Sequence, residues 1–252
     1  MNILVVNDDG IEAAGIKKLA TLAREYGEVT VVAPRSQCSA MSRRITVRGE
    51  LACEDRTDSF PVQGVRKAYA IDGTPADCVK LGVYYLCPDA DVVFSGINYG
   101  YNSGSDLYYS GTMGAALEAI ARGIPAIAYS AEPYQGKDQP MQHPTEVDEE
   151  LFQTVNEYLV PVTKDILTRG LTTDAVWNVN FPALETGQCK GVRWDCVPDA
   201  GCFYKDHYDE IREENRHVFV AGMFPAADAE AGSDIEALLN GYVSVGLYHP
   251  SW

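Results

Sequence analysis

The sequence has no apolar run near the ~18 residues that a membrane-spanning helix requires, so no membrane partner is expected. Basic residues are scarce: 20 Lys and Arg against 36 Asp and Glu give a formal net charge of −16 over 252 residues. Stable binding of polymeric nucleic acid needs clustered cations against the phosphates, which this balance argues against, although a small anionic substrate held by local dipoles or a metal remains open. Histidine is rare as well. His143, His207, His217 and His249 are scattered and form no HExxH or H-x-H pair, and the cysteines at 38, 53, 78, 87, 189, 196 and 202 form no CxxC. That argues against a zinc site of nitrogen and sulfur ligands, and the odd thiol count suits reduced cysteines in a cytoplasmic protein. The apolar stretch Ile3–Val6 is short and follows no basic segment, so it reads as structure rather than as a signal peptide. Three familiar motifs are also missing. No G-x-S-x-G elbow supports a serine esterase, no G-x-x-x-x-G-K-[ST] supports a P-loop NTPase, and no G-x-G-x-x-G follows the first apolar run.

What is present is ordinary globular material, 46% hydrophobic and 22% charged, which points to a single domain over residues 1–252. Asn2–Val6 reads as a strand, Ile16 to Ala23 as a helix and Val29–Ala33 as a second strand, a βαβ unit whose strands should run parallel. The same grammar recurs downstream. A helix over Ala76–Leu86 enters through Thr74-Pro75, and Asp91–Phe94 is a buried strand leading into a glycine-rich loop, Ser95–Tyr109. Then come helix Thr112–Arg122, strand Ile124–Tyr129, a helix over Glu146–Thr168 that Pro161 should kink or split, and strand Ala175–Asn180. Residues 132–148 read as a surface loop. The expected fold is therefore α/β, a Rossmann-like three-layer sandwich with a mostly parallel sheet. Beyond residue 190 the pattern changes. Val192–Val197 and His217–Met223 look like strands around the acidic stretch 199–216, so 190–225 is expected to project as a hairpin arm for oligomerisation. A short helix, Asp234–Asn240, and a last strand, Tyr242–Leu247, close the chain.

In an open parallel sheet, ligands collect beyond the carboxyl ends of the strands. Asn7-Asp8-Asp9-Gly10 follows the first strand. Two adjacent carboxylates repel unless a cation neutralises them, and such oxygens suit Mg²⁺ or Mn²⁺; alternatively one Asp simply caps the following helix. Asn98 and Asn102 lie among Gly96, Gly100 and Gly104, which either let backbone approach a ligand or merely build a polar turn. Ser110-Gly111-Thr112 opens a helix of small residues, either an anion site at its N-terminus or ordinary capping. Residues 34–44 gather Arg35, Arg43 and Arg44 with three serines, a solvated face or a guide for a phosphate ester.

Several segments in order resemble the SurE family of metal-dependent nucleotidases: ILVVNDDGIEAAGIKKLA at the start, VVAPRSQCSAMS, GTPADCVKLGV at 73–83, VVFSGINYGYNSGSDLYYSGTMGAALEA at 92–119, WNVNFP at 177–182, and GSDIEALLNGYVSVGL near the end. The resemblance implies a phosphomonoesterase that hydrolyses nucleoside monophosphates as a 5′-nucleotidase. It implies one divalent ion per subunit (Mg²⁺ or Mn²⁺, with Ca²⁺ able to stand in within crystals) on Asp8, Asp9, Ser39 and Asn98. Asp8 and Asp9 are then the catalytic residues, Asn102, Ser110, Gly111 and Thr112 bind the phosphate side of the substrate, and the assembly is a homodimer or homotetramer. This sequence departs from the family at Ser39-Ala40-Met41-Ser42, where Ser-Gly-x-Ser is usual, and it lacks the family's Asp-Pro-Arg-Gly stretch between 199 and 216. Two other readings are a member that binds nucleotide without turnover and a phospho-receiver-like switch. The second is weakened because the strand at Val92–Phe94 ends in Ser95 where a receiver needs an acceptor Asp.

Overall fold

The computed structural model describes residues 1–132, 144–147, 152–213 and 216–250. Its body is a nine-stranded sheet between helices. The first strand, β1 (Asn2–Val6), is apolar on both sides because both faces are covered: Ile3 and Val5 join one core cluster, Leu4 and Val6 the other. Helix α1 (Ala14–Ala23) buries Ile16, Leu19 and Ala20 in the first of these clusters and returns the chain to β2 (Glu28–Pro34), parallel to β1.

Two strands escaped the sequence reading, β3 (Cys53–Asp55) and β4 (Lys67–Ile71). Alanine-rich β4, KAYAI, has little strand propensity of its own, and its parallel pairing with β2 supplies the ladder that fixes it. Helix α2 (Pro75–Leu81) starts where expected, with Thr74 accepting from the Asp77 N–H at 3.2 Å and Asp77 reaching back in a capping box. Residues Gly82–Leu86 continue it as a π-turn. Strand β5 (Val92–Tyr99) runs five residues beyond the expected Phe94. Between its pairings Ser95 with Ala128 and Asn98 with Ser130 it carries an extra residue, a bulge that re-aims the strand end.

Helix α3 (Gly111–Ala121) and β6 (Ala126–Ala131) follow as expected. The expected loop 132–148 lies mostly outside the described residues, and Glu146 and Val147 are not helical. Helix α4 (Gln153–Arg169) contains Pro161 without dividing there, because Val155, Leu159, Val162 and Ile166 seat it on the sheet on both sides of the proline. The sheet then continues through β7 (Val176–Phe181). The segment expected as a strand over Val192–Val197 forms a ladder only at β8 (Val192–Arg193), with an isolated bridge from Val197 to Ser233.

The arm is a ribbon of β9 (Tyr204–Glu213) and β10 (Arg216–Pro225), so it begins well after residue 190; Cys196 N–H instead bonds Val245 of the body at 3.1 Å. After it come α5 (Asp234–Leu239) and β11 (Val243–Tyr248), which lies antiparallel to β7. The sheet order is β3-β4-β2-β1-β5-β6-β7-β11-β8. Helices α1 and α4 cover one face and α2 and α3 the other, which is the α/β three-layer arrangement expected. The chain winds outward from β1 first toward β2 and then, through β5, the other way. The carboxyl end of β1 is thus the switch point where a crevice opens.

Candidate active site

Asn7, Asp8 and Asp9 emerge at that point. Asp8 is 3% exposed, and its carboxylate is held at the start of α3: Thr112 donates its hydroxyl to Oδ1 at 2.7 Å and its N–H to Oδ2 at 3.1 Å. Ser110 caps the helix by accepting from Met113 N–H at 3.0 Å, as its place in the sequence suggests. Gly111 is required by proximity, since a Cβ there would stand 2.8 Å from both Cβ and Oδ2 of Asp8. Asp9, half-buried, accepts from the Tyr99 N–H at 3.0 Å, which ties it to the end of β5. Burial, and secondarily the charge of Asp9, push the Asp8 carboxyl up to about 7 against the opposing pull of the Thr112 hydrogen bonds.

Cys38 N–H donates to the Asp8 carbonyl at 2.7 Å and brings the serine-rich segment to the same place. Ser39 is exposed there and accepts from Gln37 Nε2 at 2.8 Å. Asn98 is half-buried at the end of β5 and donates Nδ2 to the Gly100 carbonyl at 2.9 Å, so its oxygen is the end available to a cation. The three sequence segments expected to carry metal ligands therefore meet around Asp8 and Asp9.

Asn102 is 5% exposed and is bound from every side. Its N–H donates to Asn180 Oδ1 at 2.8 Å and its Nδ2 to Ser130 Oγ at 2.8 Å, while its carbonyl accepts from Asn178 and Asn180. The sequence reading missed Ser130, Asn178 and Asn180. Their signal was two asparagines at i and i+2, one face of an otherwise apolar strand. Asp234 was missed too. It accepts from the N–H groups of Gly104 at 2.9 Å and Asp199 at 3.0 Å, pinning the glycine-rich loop, and burial raises its carboxyl to about 6. The arginines expected to guide a phosphate are partly committed elsewhere: Arg35 pairs with Asp72 and Glu54, and Arg43 with Glu118. A cavity of about 780 Å³ between α1 and α4 contains none of the expected site residues.

These oxygens suit a hard divalent ion. Two carboxylates of like charge lie together with one held high in pKa, and the Oδ1 of fully buried Asn7 beside them has no hydrogen-bond partner among the described residues. Among the described residues no group of three or more His, Cys, Asp or Glu is arranged to hold a metal ion, so such a site would combine two acids with neutral oxygens. His207 and His217 lie on the arm.

Fold and site together define an α/β protein with an acidic pair at its switch point, facing the N-terminus of a small-residue helix. The profile of the survival protein SurE family matches residues 3–199, and the chain belongs to that family. It is 39% identical over 247 residues to the 5′-nucleotidase SurE of Cytophaga hutchinsonii, covering 96% of this chain and 88% of that one. To the 5′-nucleotidase SurE of Clostridium botulinum it is 35% identical over 250 residues, with 99% and 93% covered. The crystal structure of the SurE protein from Aquifex aeolicus superposes with a TM-score of 0.79 at 33% identity, covering 99% of this chain and 93% of that one.

Proposed function

We propose that the protein is a divalent-metal-dependent 5′-nucleotidase that hydrolyses nucleoside monophosphates to nucleoside and phosphate. The observation that carries this reading is the Asp8–Thr112 contact, which sets an acidic pair directly against the first turn of α3. Asp8, Asp9, Ser39 and Asn98 would hold one Mg²⁺ or Mn²⁺. When bound, that ion supplies Lewis acidity to a phosphoryl oxygen.

The chain's own part is positioning. Thr112 fixes Asp8, and Tyr99 fixes Asp9. Ser110 and Gly111 place the helix end, with its positive dipole, beside the ester oxygens. Asn102, immobilised by Asn178, Asn180 and Ser130, would hold the glycine-rich loop on the phosphate side of the substrate. Phosphoryl transfer needs little covalent work from protein, so this pre-set geometry is the main catalytic device.

The test is phosphate release from nucleoside monophosphates with Mn²⁺ or Mg²⁺, against EDTA, Asp8→Asn and Asp9→Asn. Activity should require the ion and fall at least a hundredfold in each variant; full turnover in either would overturn the assignment. The arm belongs to the same proposal as the element of self-association, giving a homodimer or a dimer of dimers. Its Tyr208 (61% exposed), Ile211 and Phe219 (61% exposed) show apolar surface that its own ribbon leaves uncovered. No described helix is long and apolar enough to cross a membrane; cytoplasmic residence is part of the proposal.

A further inference from the structure

Ser39 stands on a segment that does not hold itself in place. No helix or strand lies between Pro34 at the end of β2 and Cys53 at the start of β3, and Ala40 and Ser42 sit at φ +55° and +52°. Non-glycine residues resist that left-handed conformation, so the segment keeps it only under outside constraint.

Part of the constraint is backbone. Cys38 N–H bonds the Asp8 carbonyl, and Ser42 N–H bonds the Tyr109 carbonyl at 2.8 Å. Gly114 on α3 lets the Ser42 carbonyl lie where a Cβ would be only 2.0 Å away. A side-chain clamp adds to these ties. Glu118 on α3 is 3% exposed, an acid on a helix otherwise buried through small and apolar residues. Its Oε2 accepts from Arg43 Nε at 2.9 Å and lies 2.9 Å from Arg43 Nη2; its Oε1 accepts from Arg122 Nε at 2.8 Å and lies 2.6 Å from Arg122 Nη2. A buried carboxylate needs such partners on both oxygens. Arg122 is four residues along the same helix. Arg43 comes from the Ser39 segment, 75 residues away in sequence.

Helix α3 thereby grips two of the four proposed ligands: Asp8 at its first turn through Thr112, and the Ser39 segment at its last turn through Glu118. We infer that Glu118 and Arg43 are positioning residues that register Ser39 against Asp8 and so set the protein's affinity for its divalent ion. This rests on the reading of Ser39 as a metal ligand. The geometry gives the two arginines distinct roles: Arg122 completes the charge balance of Glu118, whereas Arg43 carries that anchor to the loop.

The experiment is calorimetric titration of the full-length protein with Mn²⁺, together with hydrogen exchange of the amides of residues 36–46. Arg43 is partly exposed, so Arg43→Gln spares the core that a Glu118 substitution would disturb. Arg43→Gln should weaken Mn²⁺ binding about tenfold, the scale seen when groups supporting metal ligands are removed. It should also speed exchange across 36–46. Arg43→Lys should recover part of the affinity. Arg122→Gln, which removes the other guanidinium from the same carboxylate, should leave affinity and loop exchange within twofold of the unmodified protein. Equal Mn²⁺ affinity in Arg43→Gln and Arg122→Gln would overturn the clamp. Ser39→Ala separates the two levels: it should weaken Mn²⁺ binding, and unchanged affinity would overturn the ligand reading and the clamp with it.

Discussion

Asp8 shows how a single residue can be costly to the fold and necessary to the chemistry. Its carboxyl, raised from 3.8 to about 7 by burial and by Asp9, binds a proton in the folded protein that the unfolded chain has already released. Between about pH 4 and 7 the folded state therefore holds more protons, and the metal-free protein should lose stability as pH rises through that window. Asp8→Asn removes the buried charge while an amide still satisfies Thr112. In EDTA at pH 8 this variant should melt a few degrees above the unmodified protein, and the difference should vanish below about pH 4 in calorimetry. Added Mn²⁺ should raise the melting temperature of the unmodified protein and leave that of Asp8→Asn unmoved, because only binding to the folded state stabilises it. Ala40 is a second, simpler case. It occupies φ +55°, so Ala40→Gly should relieve left-handed strain and stabilise by about 0.5–1 kcal/mol, after the entropy that glycine adds to the unfolded chain. Denaturant midpoints measure this directly.

At the scale of elements, the beginning of α3 decides the site. The sequence announces this helix through Ser110 as cap and a run of small residues, and the structure shows what the small residues are for. Gly111 admits the Asp8 carboxylate and Gly114 admits the Ser42 carbonyl. Gly111→Ala would favour the helix on propensity alone. It should nonetheless reduce phosphate release at least tenfold, since a Cβ 2.8 Å from the carboxylate displaces it; circular dichroism should show the helix content unchanged. Helices with clear punctuation were legible for the same reason: Thr74-Pro75 fixes the start of α2 and Ser233 that of α5. β4 was not legible, because an Ala-rich pentapeptide becomes a strand only when β2 offers it a partner. Residues 95–99 looked like loop because two glycine-rich turns adjoin them, whereas pairing with β6 carries β5 through the bulge to Tyr99.

For the whole molecule, the arm is the feature proposed to pair with a second chain. Pairing of β9 with β10 satisfies the backbone of the ribbon, but Tyr208, Ile211 and Phe219 remain in water. The folded body begins immediately before it, where Phe203 and Tyr204 pack with Tyr101 and Tyr204 Oη accepts from the Tyr101 N–H at 3.1 Å. Replacing residues 205–224 by a short turn should therefore leave the body folded and lower the particle mass in light scattering to that of one chain. An unchanged mass would place self-association on another surface. Retained metal binding in the shortened protein would show that the site is complete within one subunit.

The sequence by itself determined the α/β architecture, through apolar runs and amphipathic stretches whose periods differ, and it singled out Asp8, Asp9 and Asn98, because NDDG and SGIN follow apolar runs; Ser39 joined them only through the resemblance to the SurE family. These are local properties that need no partner to be read. Tertiary structure decided which of those groups meet. It bound Asp8 to Thr112 across 104 residues, drew Arg43 onto Glu118, and made Asn178 and Asn180 the support of Asn102. Such pairings depend on strand order and close approach. A carboxylate's neighbours are set by where the sheet brings the chain back, which no local pattern encodes.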